Sequence, residues 1–414
     1  FDNWLYNHDK EAWWVIDPIV SVQEDATFFE GFSIDESVYG RVKLLSASIE
    51  IDTPIRPGTT NINFGIGLEN EFSRIRTYRP LELTVGTESV KVETDVGSTT
   101  EKKIDLPESW VRGLLEVQSA LALSKTHIDV SPSFIQEIIA NLEAEREKHG
   151  PRSLRFSLVP DEHVRVELEP WGQIIEDFSS RYDGEEATEI RVWGRRRLCL
   201  LKNLLPDATS ASIDLLGSGM PSFWTVRVGE IEVLVGLSGW TTLDWTSRAK
   251  FAAFNPTSQV SAKSLTRSMA LLKTHSILTA SELADLAEMK PRKATFVLER
   301  LSALGKAMFD YELNAYRWRE LFPKLDLSKL AETGLEERRG VELARKCTVN
   351  VIKDTDCKGR RVVKAVVCDK KDQQVTAEFD IDGRVVYAEC TCPHFRYHKL
   401  RNGPCRHMIA VALS

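Results

Sequence analysis

The sequence predicts an α+β chain of several domains. A mixed α/β region comes first, then three helices with a short hairpin, then a C-terminal antiparallel sheet carrying a four-ligand motif. Three observations predict this. The chain has 414 residues, 42% of them hydrophobic and 28% charged, which suits two to four folded domains and not a disordered one. Stretches of strand alternation, such as Leu154, Phe156 and Leu158, stand beside helical faces such as Phe134, Ile135, Ile138, Ile139 and Leu142. The polar, pattern-free run 255–261 then sets off a compact C-terminal part that ends in closely spaced cysteine and histidine.

Residues 1–254 form the α+β region, readable as two subdomains near 1–150 and 151–254. Trp4, Trp13, Trp14, Phe28 and Phe29 are aromatic core candidates, and Pro18, Pro54, Pro57-Gly58, Asn61 and Asn63 mark turns. Strands are expected at 26–33, 38–51, 81–85 and 89–94. Pro107 to Trp110 opens one helix, with apolar residues through Leu123, and Ser131-Pro132 opens a second that ends at Gly150-Pro151. A hairpin over 154–168, strands at 189–193, 212–216, 224–228 and 231–237, a helix over 195–205 and another near 242–253 complete the region, with Trp245 and Phe251 buried.

This region shows no catalytic constellation. Gly217-Ser218-Gly219 lacks both the frame of a hydrolase elbow and the Lys-Ser/Thr ending of a phosphate loop, so it reads as a turn. Arg195-Arg196-Arg197 reads as a solvated helix face with ion pairs, or as a site for phosphate or an acidic partner. The expectation is a chain that is not an enzyme, with an enzyme domain of unrecognised motif in 1–250 as the further alternative. Net charge is −7, so any nucleic-acid surface is a local patch. No run reaches 18 apolar residues, which predicts no membrane span, and an odd cysteine count without a signal peptide points to the cytoplasm. The first residue is Phe1, not Met, which reads as a fragment with an N-terminal part missing.

Residues 255–263 are a linker and 264–320 a compact module. Helices are expected from Leu265 to His275 (Met269, Leu271 and Leu272 inside), from Leu283 to Met289 (Leu283, Leu286 and Ala287 inside) and from Pro291 to Leu304. Thr279 and Glu282 form a capping box, and Pro291 fits a first helical position. Met308 to Leu313 and Tyr316 to Trp318 pair across Asn314. Lys290, Arg292, Lys293 and Arg300 make the third helix basic against Glu299, with Lys306 beside the hairpin. Residues 321–346 are a charged connector with a helix from Glu336 to Arg345.

Residues 347–414 hold the chemistry. Strands at 349–352, 361–367, 375–379 and 384–387 lead to Cys390, Cys392, Cys405 and His407, in the pattern C-x-C-x12-C-x-H. Each close pair offers two ligands, and the twelve-residue gap lets the chain turn back around one ion. Three thiolates and an imidazole complete a tetrahedron, so a single zinc ion is expected in a structural role, with no open position for a reacting water. Pro393 ends the strand pairing, and Gly403-Pro404 starts a helix from His407, with Cys405 at its first turn. Arg396, Lys399, Arg401 and Arg406 offset the charge of a three-thiolate zinc. His394 and His398 read as exposed loop histidines or alternative ligands. Cys199, Cys347, Cys357 and Cys368 have no ligand spacing and read as small core residues.

The 390–407 pattern, after a strand and before a helix, resembles the SWIM zinc finger. Three helices and a two-stranded wing over 264–320 resemble a winged helix-turn-helix, in whose DNA-binding members the third helix enters the major groove. Stretches such as Asp105 to Gly113, Gly150 to Phe156, Trp193 to Leu198, Gly217 to Phe223 and Leu237 to Trp240 extend the resemblance to bacterial SWIM zinc-finger proteins. It implies a zinc-binding adaptor that grips DNA or another protein, through Lys290, Arg292, Lys293, Arg300, Lys306, Arg396, Lys399, Arg401 and Arg406 where the partner is nucleic acid. Some such proteins are encoded near MoxR-type ATPases or VWA-domain proteins, which implies a scaffold subunit of an ATPase-associated complex, with a role in defence, as the alternative.

Overall fold

The structure is a computed structural model that describes residues 15–62, 65–76, 78, 80–104, 108–147, 152–239, 245, 260–321, 335–346, 348–357, 360–379, 385–400 and 403–414. Trp4, Trp13, Trp14, Phe251, Cys347, Arg401, most of the 242–253 helix and the 255–259 part of the linker lie outside them. The chain divides into two compact units, Phe1–Trp110 with Thr126–Trp245, and Val111–Lys125 with Thr246–Ser414. It is of mixed α+β class, with five antiparallel sheets among the described residues.

The first unit is built on an eight-stranded sheet. Its order is Gly58–Asn61, Val15–Val22, Ala26–Ser33, Val38–Leu45, Ile231–Leu237, Ser222–Val228, Ser210–Leu215 and Thr126–Val130. The central pairing, Val38–Leu45 with Ile231–Leu237, takes strands from both sides of residue 150. Pro18 lies inside a strand and not at a turn: the ladder shifts register between Ile16 and Ile19, and a bulge tolerates a residue that has no N–H. A second sheet of Gln173–Arg181, His163–Leu168, Leu154–Leu158 and Thr188–Val192 shares one core with the Pro132–Ala144 helix. Phe134, Ile135, Ile138, Ile139 and Leu142 face that core, as their spacing requires, and Ser131 caps the helix by accepting from the Phe134 N–H. A three-stranded sheet, Glu82–Val85, Ser89–Thr94 and Gly97–Lys102, completes the unit. Trp245 is buried as expected, its indole N–H donating to the Gly236 carbonyl.

The arginine run departs from both readings. Arg195–Leu201 and Leu205–Asp207 are 3-10 turns instead of one α-helix, entered through Gly194 at φ 81°. Arg195 and Arg197 are buried. Arg195 donates to the Ser153 carbonyl and lies 3.6 Å from Glu147, while Arg197 pairs with Asp35 at 3.3 Å. These guanidinium groups serve the unit's own interior, because buried charge has to be paired.

In the second unit, helices Ala262–His275, Ala280–Ala287 and Pro291–Ala303 stand against a small sheet of Ile277–Leu278, Ala315–Trp318 and Ala307–Asp310. Leu272, Leu283, Ala287, Val297, Leu298 and Leu301 are buried, whereas Leu286 is 40% exposed and does not join the core. The buried Asp310–Arg317 pair, at 2.6 Å, ties the two long strands of that sheet. Gln118 comes from far upstream to this module, its side-chain oxygen accepting from the Phe309 N–H at 2.7 Å. The helix Leu335–Arg345 and a meander of Val349–Cys357, Arg360–Cys368, Asp372–Phe379 and Val385–Cys390 follow. Cys368 is exposed and not a core residue, because strand alternation turns it outward next to buried Val367. Asp372 beside it pushes its thiol pKa up. Among the described residues no helix is long and apolar enough to cross a membrane.

Candidate metal centre

Cys390 is the last residue of the fourth meander strand, Val385–Cys390. Cys392 is the N-cap of a short helix, Pro393–His398, where a loop was expected. Pro393 takes the first helical position, where a missing N–H costs nothing. Cys405 is the N-cap of the final helix, Arg406–Leu413, so that helix starts one residue before His407. Gly403, at φ 77°, makes the reversal into Pro404 and Cys405 that returns the chain to the strand end.

The three sulfurs and one histidine nitrogen all lie within 4.8 Å of one another, and all four residues are buried. A tetrahedral ion with metal–sulfur bonds of about 2.3 Å separates its ligand atoms by roughly 3.5–3.9 Å. The cluster therefore needs only a small contraction to close on an ion, and the residues fit a structural metal. The nitrogen facing the sulfurs is Nδ1 of His407, 3.8 Å from Cys390 Sγ. Two backbone amides point at the sulfurs: Cys392 N–H toward Cys390 Sγ and Phe395 N–H toward Cys392 Sγ, each at 3.4 Å. Such donors favour thiolate over thiol.

The electrostatics call for a cation. Cys390 and Cys405 push the Cys392 thiol pKa down by hydrogen bonding, while Cys390 and Cys392 push that of Cys405 up. Neighbouring sulfurs cannot all ionise together unless something positive stands between them. Burial alone would lower the pKa of His407, but Cys390 and Cys392 raise it to about 9. A metal entering here displaces those protons.

An outer layer completes the site. His407 Nε2 lies 3.3 Å from Asp369 Oδ2, and Arg406 Nε lies 3.0 Å from the same oxygen. Burial raises the Asp369 pKa, but the Lys370 N–H, Arg406 and His407 outweigh it, so the carboxyl titrates below its ordinary range. Glu336 accepts from the Arg406 backbone N–H at 3.0 Å, placing a carboxylate at the N-terminus of the last helix. Sequence reasoning missed both acids. Asp369 lies between the strands Arg360–Cys368 and Asp372–Phe379, and no spacing rule links such a residue to a histidine 38 positions on.

The basic candidates among the described residues fall into three groups. Lys290, Lys293, Arg396 and Lys399 are exposed, and the Lys399 ammonium lies over the Phe395 ring at 4.9 Å. Arg292, Arg406 and Lys306 have partners within the unit. Arg292 donates to the Ala412 carbonyl at 3.2 Å and its guanidinium lies 5.5 Å from the Phe296 ring centroid and 5.7 Å from that of Phe379. Arg406 holds Asp369 and Glu336, and Lys306 pairs with Glu320. Arg300 is half-buried. His398 is exposed and His394 half-buried, both on the Pro393–His398 helix and outside the metal cluster.

Residues 374–414 match the family model of the SWIM zinc finger. This range contains all four ligands and the strand and two helices that present them. No curated protein matches the chain. Among solved structures, it is similar to a chain of the PCNA2-PCNA3 complex from Sulfolobus tokodaii, with 12% identity over 56% of this chain and 92% of that one and a TM-score of 0.44. Proliferating Cellular Nuclear Antigen from Entamoeba histolytica is similar at 10% identity, 55% and 90% coverage and a TM-score of 0.40. PCNA from Thermococcus kodakaraensis is similar at 13% identity, 54% and 90% coverage and a TM-score of 0.39.

Proposed function

We propose that this protein is a non-enzymatic adaptor in which one zinc ion, held by Cys390, Cys392, Cys405 and His407, braces a C-terminal binding unit. The single observation that carries the structural role of the zinc is the buried set of three sulfurs and one nitrogen, the four ligands that a tetrahedral structural ion takes with none left for a reacting water. The ion's role is to fix the strand end and two helix starts as one rigid head. The three helices and hairpin over 264–320 act as a winged helix that presents Lys290 and Lys293 to phosphate, with Arg396 and Lys399 as a second contact from the finger. Metal analysis of the purified chain is expected to return one zinc per chain, lost in Cys405→Ser together with the helical signal of the C-terminus. A full zinc complement in that variant would overturn the site. Anisotropy of labelled duplex DNA at low and near-physiological salt, beside Lys290→Glu/Lys293→Glu, tests the ligand class: phosphate contact weakens steeply with salt.

A second reading, docking to a protein partner, is favoured by the internal use of Arg292 and Arg406. Two of the cations available to grip phosphate are spent on the unit's own carbonyl and carboxylates. Binding that is absent at both salt concentrations supports that reading, and a subunit of an ATPase-associated complex is its concrete form.

A further inference from the structure

We infer that the tip of the finger, Arg396 to Lys399, is a stacking site for unpaired bases of single-stranded nucleic acid. Tyr397 is 79% exposed, on a short helix whose start is fixed by Cys392. The helix is not loosely placed: Phe395, two residues earlier, packs against the core that contains the metal ligands. The ring is thus presented outward on a rigid mount. Its neighbours Arg396, His398 and Lys399 are exposed as well.

Charge identifies the occupant. The chain as a whole has a net charge of −7, yet residues 391–400 contain Arg396 and Lys399 and no Asp or Glu. A carboxylate-free basic segment around an outward aromatic ring suits a strand whose phosphates meet the cations and whose base lies on the ring. A duplex does not offer that fit, because its base faces are already stacked on one another and only their edges face the grooves. DNA and RNA single strands share this chemistry. The inference rests on the binding role proposed above, but on different residues from Lys290 and Lys293, so each can fail alone.

The test uses the zinc-loaded full chain with labelled oligo(dT), oligo(rU) and a DNA hairpin duplex of similar charge. Tyr397→Ala is expected to weaken oligo(dT) or oligo(rU) binding about tenfold, in line with loss of one stacked base, and to change duplex binding less than twofold. Tyr397→Trp retains the ring and is expected to keep single-strand affinity, and the two oligomers tell DNA from RNA. Arg396→Glu/Lys399→Glu is expected to weaken single-strand binding and to flatten its salt dependence. Equal loss on duplex and single strand in Tyr397→Ala overturns the stacking role, as does no loss on either. Wild-type binding to duplex alone overturns this inference and leaves the adaptor reading standing. Binding to none of the three probes overturns this inference and the phosphate-binding form of the adaptor, and leaves the protein-docking form. The zinc content of each variant, read in parallel, keeps an unfolded finger from counting as a lost contact.

Discussion

Asp369 Oδ2 lies 3.3 Å from Nε2 of His407, on the opposite side of the imidazole from the cysteine sulfurs. With Nδ1 turned to the sulfurs, an ion bound among them would leave Nε2–H to donate to this carboxylate, which would fix both the tautomer and the tilt of the ring. Partners of this kind are worth about 10–100-fold in metal affinity. Asp369→Asn is expected to lower zinc affinity by about that factor in chelator competition, while the four ligands still bind one ion. Unchanged affinity would mean that Asp369 serves only its pair with Arg406.

Arg292 is a fastener between two parts of the C-terminal unit. It sits in the first turn of the Pro291–Ala303 helix, yet its guanidinium reaches the Ala412 carbonyl on the last helix and lies near Phe379 on the meander. Burial and the nearby Arg361 lower its pKa. Loss of a charged hydrogen bond and of the aromatic contacts costs about 1–3 kcal/mol. Arg292→Ala is therefore expected to lower the denaturation midpoint of the zinc-loaded chain, whereas exposed Lys293→Ala stays within about 0.5 kcal/mol of wild type. Equal effects of the two substitutions would remove the fastening role.

The metal site was legible in the sequence because its ligands come in two close pairs, and short spacing is the part of geometry that sequence states directly. The strand before Cys390 and the helix after Cys405 carried their own periodicity. The helix over 393–398 did not: six residues give too few turns for a pattern, and Pro393 reads equally well as a strand stop. Long-range partners were also invisible. Nothing local in Val38–Leu45 announces Ile231–Leu237 as its neighbour, and nothing in Arg292 announces Ala412. The run Arg195 to Arg197 misled for the same reason, since only the fold supplies the Ser153 carbonyl, Glu147 and Asp35 that bury it.

The capping box of the Ala280–Ala287 helix makes a pH-dependent prediction. Glu282 accepts from the Thr279 backbone N–H at 2.8 Å and from its hydroxyl at 2.9 Å, and these bonds lower its pKa in the folded chain. A lowered folded pKa gives stability that is complete above the unfolded value, about 4.3, and is lost as pH falls through the folded value. Amide exchange in the first turn of this helix is expected to quicken as pH drops below about 4, beyond the intrinsic trend. Glu282→Gln should remove that extra step while keeping a cap. Thr279→Ala, which deletes the hydroxyl that caps the Glu282 N–H, should cost about 1 kcal/mol at neutral pH. Extra quickening that persists in Glu282→Gln would assign the step to another group.

Gly340 explains why a charged helix contains a glycine in its middle. A Cβ there would lie 2.7 Å from Ile409 Cβ and 2.8 Å from the Arg406 carbonyl oxygen, in the first turns of the helix that carries His407. On an open helix, alanine in place of glycine is worth about 1 kcal/mol of added stability. Here the clash is with backbone and a branched carbon, neither of which can swing aside, and overpacking of this kind costs about 1–3 kcal/mol. The second effect should win. Gly340→Ala is expected to destabilise the zinc-loaded chain and to loosen the final helix, seen as faster zinc release to a chelator. The two residues before it, Arg338 and Arg339, are exposed and should tolerate alanine. A stabilised Gly340→Ala chain would mean that Ile409 and the Arg406 carbonyl give way to an added methyl at this position.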